Sequence, residues 1–428
     1  MSAATATSVL RAQPRLLPRG WQAYALFTLL PLWWLLGLSH FIFALLAALM
    51  LPALLFRRDG VKVPHGFGVW LAFLAWMLVS AVEIDTTGRM LGFVLRFSVY
   101  GSATVLFLYL YNARRGELGA TVLTYALAAY WVVIVLGGYL GVLFPHVEFT
   151  TPAAHVIPRS LSSNSYVQDM VTARFAEVQT FLGYPIGRPR AFFTYTNGWG
   201  SAFALTIPFA FAALGSIESR TRRRFLQLTL LVSLVPAILS VNRGLWLSAT
   251  VACVYFALRL LVRGETQRFL RLASVVAVAA VVILASPLST VIGERFAHQH
   301  SNSAREALYA ETFDRALQSP LVGYGAPRPA ESQAYLDSVG TQGQVLYLVF
   351  SHGFPALVLF LGWLVHTFVR TAALTRGAGV WAHLVILIAL VQAPFYGLET
   401  QMFVIMGAAA IALRELDHGA ATMRRRRA

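Results

Sequence analysis

The sequence predicts an all-α integral membrane protein with about twelve transmembrane helices and two long loops on one side. Three observations carry that expectation. The 428-residue chain is 57% hydrophobic and only 12% charged. Apolar stretches of helix-spanning length recur between Trp21 and Leu413. The arginines, finally, sort into alternate connections between those stretches.

Taken in order, the expected spans are roughly 21–39, 41–56, 66–82, 90–111, 118–143, 192–214, 225–241, 244–261, 272–290, 344–368, 379–395 and 400–413. The first follows three arginines as a signal peptide would, but it lacks a small-residue cleavage site and runs straight into the second, so a retained helix is expected. Tight turns at Ser39 and His40, and from Tyr396 to Glu399, make helical hairpins of the first and last pairs. Gly198, Gly200, Ser201, Ala202 and Ala204 suit close packing of the sixth span, and Pro31, Pro208, Pro236 and Pro394 are tolerable kinks.

With connections assigned alternately, one side collects Arg11, Arg15 and Arg19; Arg57, Arg58 and Lys62; Arg114 and Arg115; Arg220 and Arg222 to Arg224; Arg263, Arg268 and Arg271; Arg370 and Arg376; and Arg424 to Arg427. That side is expected to be cytoplasmic, with both termini on it. The division is then a cytoplasmic tail over 1–20, a transmembrane domain over 21–415, and an Arg-rich cytoplasmic tail over 416–428. Most of the net charge of +16 lies in these short loops and the tail, where topology and anionic lipid account for it; no nucleic-acid partner is expected. Cys253, the single cysteine, lies within an apolar span, which excludes an intrachain disulfide and a Cys-based metal site. One lysine against 33 arginines suggests a GC-rich bacterial genome.

Both long connections, about 145–191 and 291–343, fall on the opposite, outward side, the second with a helix-like run from Ser303 to Leu317. Long loops in a compact protein are usually functional. Four arginines break the sorting and fall there: Arg188 and Arg190 before the sixth span, Arg243 in the turn between the seventh and eighth, and Arg305 at the start of the loop helix. Arginine's planar fork binds phosphate oxygens bidentately and stays charged, so the four together suit a lipid diphosphate. Arg96 lies about two turns inside the fourth span, where a charge is costly unless paired or hydrated. Asn197, Gln342, His352, Glu399, Asp337, Glu331, His298 and His300 are further polar candidates on this side. No Walker motif, dinucleotide fingerprint or convincing metal-ligand cluster is present, so no cofactor and a lipid-linked donor are expected.

Arg188-Pro-Arg-Ala-Phe-Phe-Thr-Tyr-Thr-Asn197 resembles the Arg-x-x-Gly-x-Phe-x-x-Pro-Asn segment of the O-antigen ligase and Wzy polymerase superfamily. Ser240-Val-Asn-Arg243-Gly-Leu-Trp246 resembles its Ser-Arg-Gly-x-Trp turn. Arg305-Glu-Ala-Leu-Tyr309 and Pro320-Leu-Val-Gly-Tyr-Gly325 resemble its Arg-x-x-x-Trp and Pro-Leu-x-Gly-x-Gly stretch. The likeness covers roughly residues 185–360. It implies a GT-C-type fold in a bacterial inner membrane and metal-independent, inverting transfer of a glycan from undecaprenyl diphosphate to a periplasmic glycan or glycolipid acceptor. It also implies that Arg188 and Arg305 grip the diphosphate, with Arg243 beside them and Arg190 able to replace Arg188. Ala191 and Thr196 depart from the pattern. The family's catalytic histidine falls on Gln342, and an amide cannot act as a general base. Glu399, His352 or Asp337 are the candidates to take the proton from another helix. A Wzy-like polymerase fits the same residues, and a polyprenyl-glycan flippase is the non-enzymatic alternative, with only Arg96 to line a path through the bilayer.

Overall fold

Inside a bilayer the backbone has no water to bond, so apolar segments must close their hydrogen bonds internally as helices. The computed structural model describes residues 20–114, 116–158, 165–180, 182–297, 302–331 and 338–427. Among them, five helices are long and apolar enough to cross a membrane: Thr87–Asn112, Ala120–Leu143, Arg243–Val262, Thr266–Leu284 and Gln344–Thr371. Shorter apolar helices run at Ile42–Leu55, Phe67–Glu83 and Ala378–Gln392, and Met402–Arg427 closes the chain. The chain is a mostly helical membrane protein.

Several expected spans are broken where the backbone predicts it. The first divides into Trp21–Thr28 and Leu30–Leu35, and the stretch expected at 225–241 into Arg220–Val232 and Leu234–Leu239. Pro31 and Pro236 sit in the first turn of the second piece, where a missing N–H removes no helical bond. Gln344–Thr371 is interrupted at Gly353, whose φ of 77° and ψ of 175° leave the helix altogether.

The core is aromatic and small-residue by turns. Trp70, Phe73, Tyr100, Phe107, Phe360 and Trp363 are almost wholly buried against one another, and the Trp70 indole donates to Thr104 Oγ1 at 2.8 Å. Along Ala120–Leu143, glycines open a channel for other chain. A Cβ on Gly138 would stand 2.7 Å from the Trp199 ring, and one on Gly141 2.7 Å from Pro189 Cα. Gly141, with Gly137 against Ala191 and Phe192, lets the segment 189–192 lie down on the helix, which places Arg188 and Arg190.

The loop over 145–191 folds into two antiparallel hairpins, Glu148–Thr150 with Thr172–Arg174 and Ala176–Gln179 with Ile186–Pro189, with a short helix at Ser165–Val171 between. The loop over 291–343 carries the helix Asn302–Gln318, close to its expected extent, and the pair Arg328–Pro329 with Ser338–Val339.

The two ends of the bundle are chemically distinct. One gathers the sorted basic residues: Arg57 donates to Asn112 O at 2.7 Å, Arg370 to His65 O at 3.0 Å, and Arg370 pairs with Asp417 at 3.1 Å. Buried Arg414 ties Leu110 O and Leu118 O together on the same end. The other end carries both long loops.

Candidate functional site

At the loop end, four helix termini and one hairpin are joined by a continuous set of polar contacts. The Arg188 guanidinium, 5% exposed, donates from Nε to Ser240 O at 2.7 Å and from Nη1 to the Gln179 amide oxygen. Ser240 closes the helix Leu234–Leu239, and Asn242 opens the next, its side chain accepting from Leu245 N at 3.3 Å. Asn242 Nδ2 reaches Thr196 O at 3.4 Å at the start of Thr196–Leu214, and its Oδ1 accepts from the Tyr396 hydroxyl. Gly200 and Gly244 make room for this junction, since a Cβ on either would collide with Asn242 or Tyr396. Tyr396 O accepts from Gln344 N at 2.8 Å, and the Gln344 side chain bridges Tyr100 Oη at 2.6 Å and Leu398 N at 2.9 Å. Segments distant in sequence are thereby fixed to one another by groups that would be costly to leave unpaired.

Both turns that present the arginines are strained. Phe192 at φ 75° and Val241 at φ 52° are the positive-φ non-glycine residues among those described. A bulky or β-branched side chain in that region costs on the order of 1–3 kcal/mol and persists only where its surroundings impose it. One follows Arg190, and the other lies between Ser240 and Arg243.

The expected arginines divide by environment. Arg188 and Arg190 are both buried; Arg190 lies 5.8 Å over the Tyr195 ring, and its burial lowers its pKa against the opposing pull of Glu177. Arg243 is half-exposed at the first position of its helix and makes no hydrogen bond, ion pair or ring contact among the described residues. Asn197 is exposed one residue into its helix. Arg305 belongs to the helix Asn302–Gln318, but its side chain lies outside the described residues, as do His298, His300 and Asp337. Glu331 is exposed and pairs with Arg315 at 3.7 Å, away from the junction.

The catalytic candidates Glu399, Gln342 and His352 occupy different settings. Glu399, at the turn bolted down by Gln344, pairs with Arg96 at 3.0 Å, with the side chains 23% and 15% exposed respectively. Arg96 also lies 5.4 Å over the Tyr347 ring, which gives its intramembrane charge a partner and a π face. His40 is close enough for the Arg96 charge to act on it, and burial together with that charge pulls its pKa down to about 4. Gln342 is half-exposed and donates to Ser338 O at 3.0 Å and Thr341 Oγ1 at 2.9 Å, stitching its own loop. His352 is fully buried, one ring nitrogen on Ser80 Oγ at 2.6 Å and the other on Tyr347 Oη at 3.1 Å.

Pro320-Leu-Val-Gly-Tyr-Gly325 has a backbone role. The break at Gly353 frees carbonyls that Tyr324 N and Gly325 N take up at 3.0 and 2.7 Å, on Phe350 O and Ser351 O; Pro320 O accepts from Phe354 N at 2.8 Å. Gly323 must be bare, because a Cβ there would stand 2.6 Å from Phe350 O. Arg89 holds the segment from outside by donating to Tyr324 O, Ala326 O and Pro327 O. Asn242, Gln344 and Tyr396 are the functional-site residues that sequence reasoning missed. Asn242 sat inside the quoted turn motif and Tyr396 inside the last hairpin, but their partners are remote in sequence.

Among the described residues, no group of three or more His, Cys, Asp or Glu side chains is placed to hold a metal ion. Residues 228–361 match the family model described as O-antigen ligase, a stretch that takes in the Ser240–Arg243 turn, the second loop and the broken helix through Gly353. No curated protein matches the chain.

Proposed function

We propose that this chain, a membrane enzyme of the O-antigen ligase superfamily, transfers a glycan from undecaprenyl diphosphate to a hydroxyl of an outward-facing acceptor. The carrying observation is Arg243. A cation at a helix N-terminus opposes the helix dipole, and this one has no anionic partner among the described residues. An anion arriving there satisfies both the cation and the dipole. Arg188, on the hairpin joined to Ser240, and Arg190 just after it are assigned to the same cradle, and Arg305 of the loop helix is assigned to it by its likeness to the family motif.

In this reading the acceptor oxygen attacks the anomeric carbon as the bond to the diphosphate oxygen breaks, so one displacement inverts the anomeric centre. The leaving group departs as a multiply charged anion, and fixed arginines supply the electrostatic stabilisation that a divalent ion provides elsewhere. Glu399 receives the acceptor proton, held by Arg96 at the rim of the junction. His352 and Gln342 support the backbone behind it. Transfer is metal-independent. The loops face the periplasm, both termini face the cytoplasm, and the inner membrane holds about twelve spans over 21–415; the gathering of the sorted arginines at the opposite end of the bundle supports that orientation.

The same cradle serves a polymerase whose acceptor is a second lipid-linked repeat. The flippase reading is disfavoured, because Arg96 is paired with Glu399 at one end rather than lining a charged path. Supplying donor and acceptor to the purified protein and reading the new linkage by NMR tests the proposal. An inverted anomer in a covalent product is expected; donor translocation without a product contradicts it.

A further inference from the structure

Beside the arginine junction, the hairpin Glu148–Thr150 with Thr172–Arg174 and the helix Ser165–Val171 enclose a cavity of about 290 Å³. Its polar lining includes Thr150, Gln168, Asp169, Thr172 and Arg174, and its other wall is aliphatic. Asp169 is held from both sides: Arg174 Nη1 donates to one carboxylate oxygen at 3.1 Å and the Tyr195 hydroxyl to the other at 3.1 Å. Arg174 Nε is shared with Glu148 at 2.9 Å.

We infer that this cavity binds a pyranose ring of the glycan substrate, an inference that rests on the transferase reading and names a subsite for it. The charge balance excludes a second phosphate, because one guanidinium is already shared between two carboxylates. A neutral polyhydroxylated ligand meets no such repulsion. Each Asp169 oxygen keeps a lone pair after accepting its fixed bond, so the carboxylate can accept from two adjacent hydroxyls, while the threonine hydroxyls both donate and accept. The aliphatic wall suits the C–H face of a sugar ring. The volume lies near the lower end for small-molecule pockets, in the range of one or two sugar residues.

Position makes the same argument. Phe175, next to Arg174, accepts from Arg190 N at 3.0 Å and Ala191 N at 3.1 Å. Tyr195, which hydrogen-bonds Asp169, lies under the Arg190 guanidinium and two residues before Asn197.

The test uses the full chain in nanodiscs with two sets of probes: undecaprenyl diphosphate, bare or bearing a single glucose, galactose, N-acetylglucosamine or N-acetylgalactosamine, and the corresponding free disaccharides. At least one sugar should raise affinity over the bare lipid, or one disaccharide should bind, and Asp169→Asn should weaken that sugar-dependent binding about tenfold, as expected for losing one or two hydrogen bonds. Ala154→Trp, which fills the cavity, should abolish it, with bare-lipid affinity unchanged in both variants. Loss confined to the lipid-linked sugars assigns the cavity to the donor, and loss confined to free disaccharides to the acceptor. Sugar-dependent binding that both variants retain, or bare-lipid binding with no sugar increment from any probe, overturns the inference. Failure to bind even the bare lipid instead strikes the diphosphate cradle.

Discussion

Under the proposed function the chemistry turns on Arg243 and Glu399, and they make separable predictions. Arg243→Ala should lose turnover by a factor corresponding to about 2–4 kcal/mol, the usual cost of deleting a charge-assisted contact to a developing anion, while thermal stability stays near wild type. Arg243→Lys should recover part of the loss, since it restores charge without the fork. Glu399→Gln keeps the bond from Arg96 but removes the base, so kcat should fall roughly 10²- to 10⁴-fold with KM little changed. His40 bears on stability. Its pKa is about 4 in the fold against an ordinary 6.5, so between those values the unfolded chain binds the extra proton and stability falls as pH drops through that window, with no effect above it. His40→Asn should flatten that stretch of the stability-against-pH curve in detergent; an unchanged slope would show that burial and Arg96 do not depress the His40 pKa. The loop-end arginines were legible as out of place, whereas His40 carried no signal, because its depressed pKa comes first from burial that only the folded chain creates and then from Arg96, 56 positions away.

Motifs that read as chemistry can serve the backbone instead, and the second loop is the case in point. The Pro-Leu-x-Gly-x-Gly likeness identified a real unit, but its glycines exist to let the chain hydrogen-bond into a helix broken at Gly353. Gly353→Ala forces a side chain into φ 77° against Leu321 O and should destabilise the protein by about 1–3 kcal/mol or more, measured as a loss of thermal stability with bound lipid held constant. A neutral result would mean that the break is not imposed. Helices and their rough limits were legible from apolar runs. The hairpins of the first loop were not: their strands are three or four residues long, and the segment around Phe175 and Pro189 is seated against Gly141 of a helix remote in sequence. Gln342 shows the limit of counting along a sequence, since the residue that braces the site, Gln344, stands two positions later and points inward to Tyr100.

At the scale of the molecule, the arginine sorting becomes a separation between ends: basic residues knotted to helix C-termini at one, strained turns and loops at the other. Orientation follows by prediction. In a Cys253→Ser background, cysteines at Val156, which is 84% exposed, and at Glu331 should react with an impermeant maleimide from the periplasmic side, while one at Asp59 should react only after permeabilisation. The reverse pattern would invert the topology and remove the diphosphate cradle from the side where an outward-facing acceptor waits. The central claim is narrower and can be met head on, by following undecaprenyl diphosphate release in nanodiscs that hold purified protein, lipid-linked glycan and acceptor, with excess EDTA and no nucleotide. Release in step with glycosylated acceptor, abolished by Arg243→Ala, is the result expected of arginines doing the work of a metal. Loss of transfer on chelation, restored by magnesium or manganese, would contradict it.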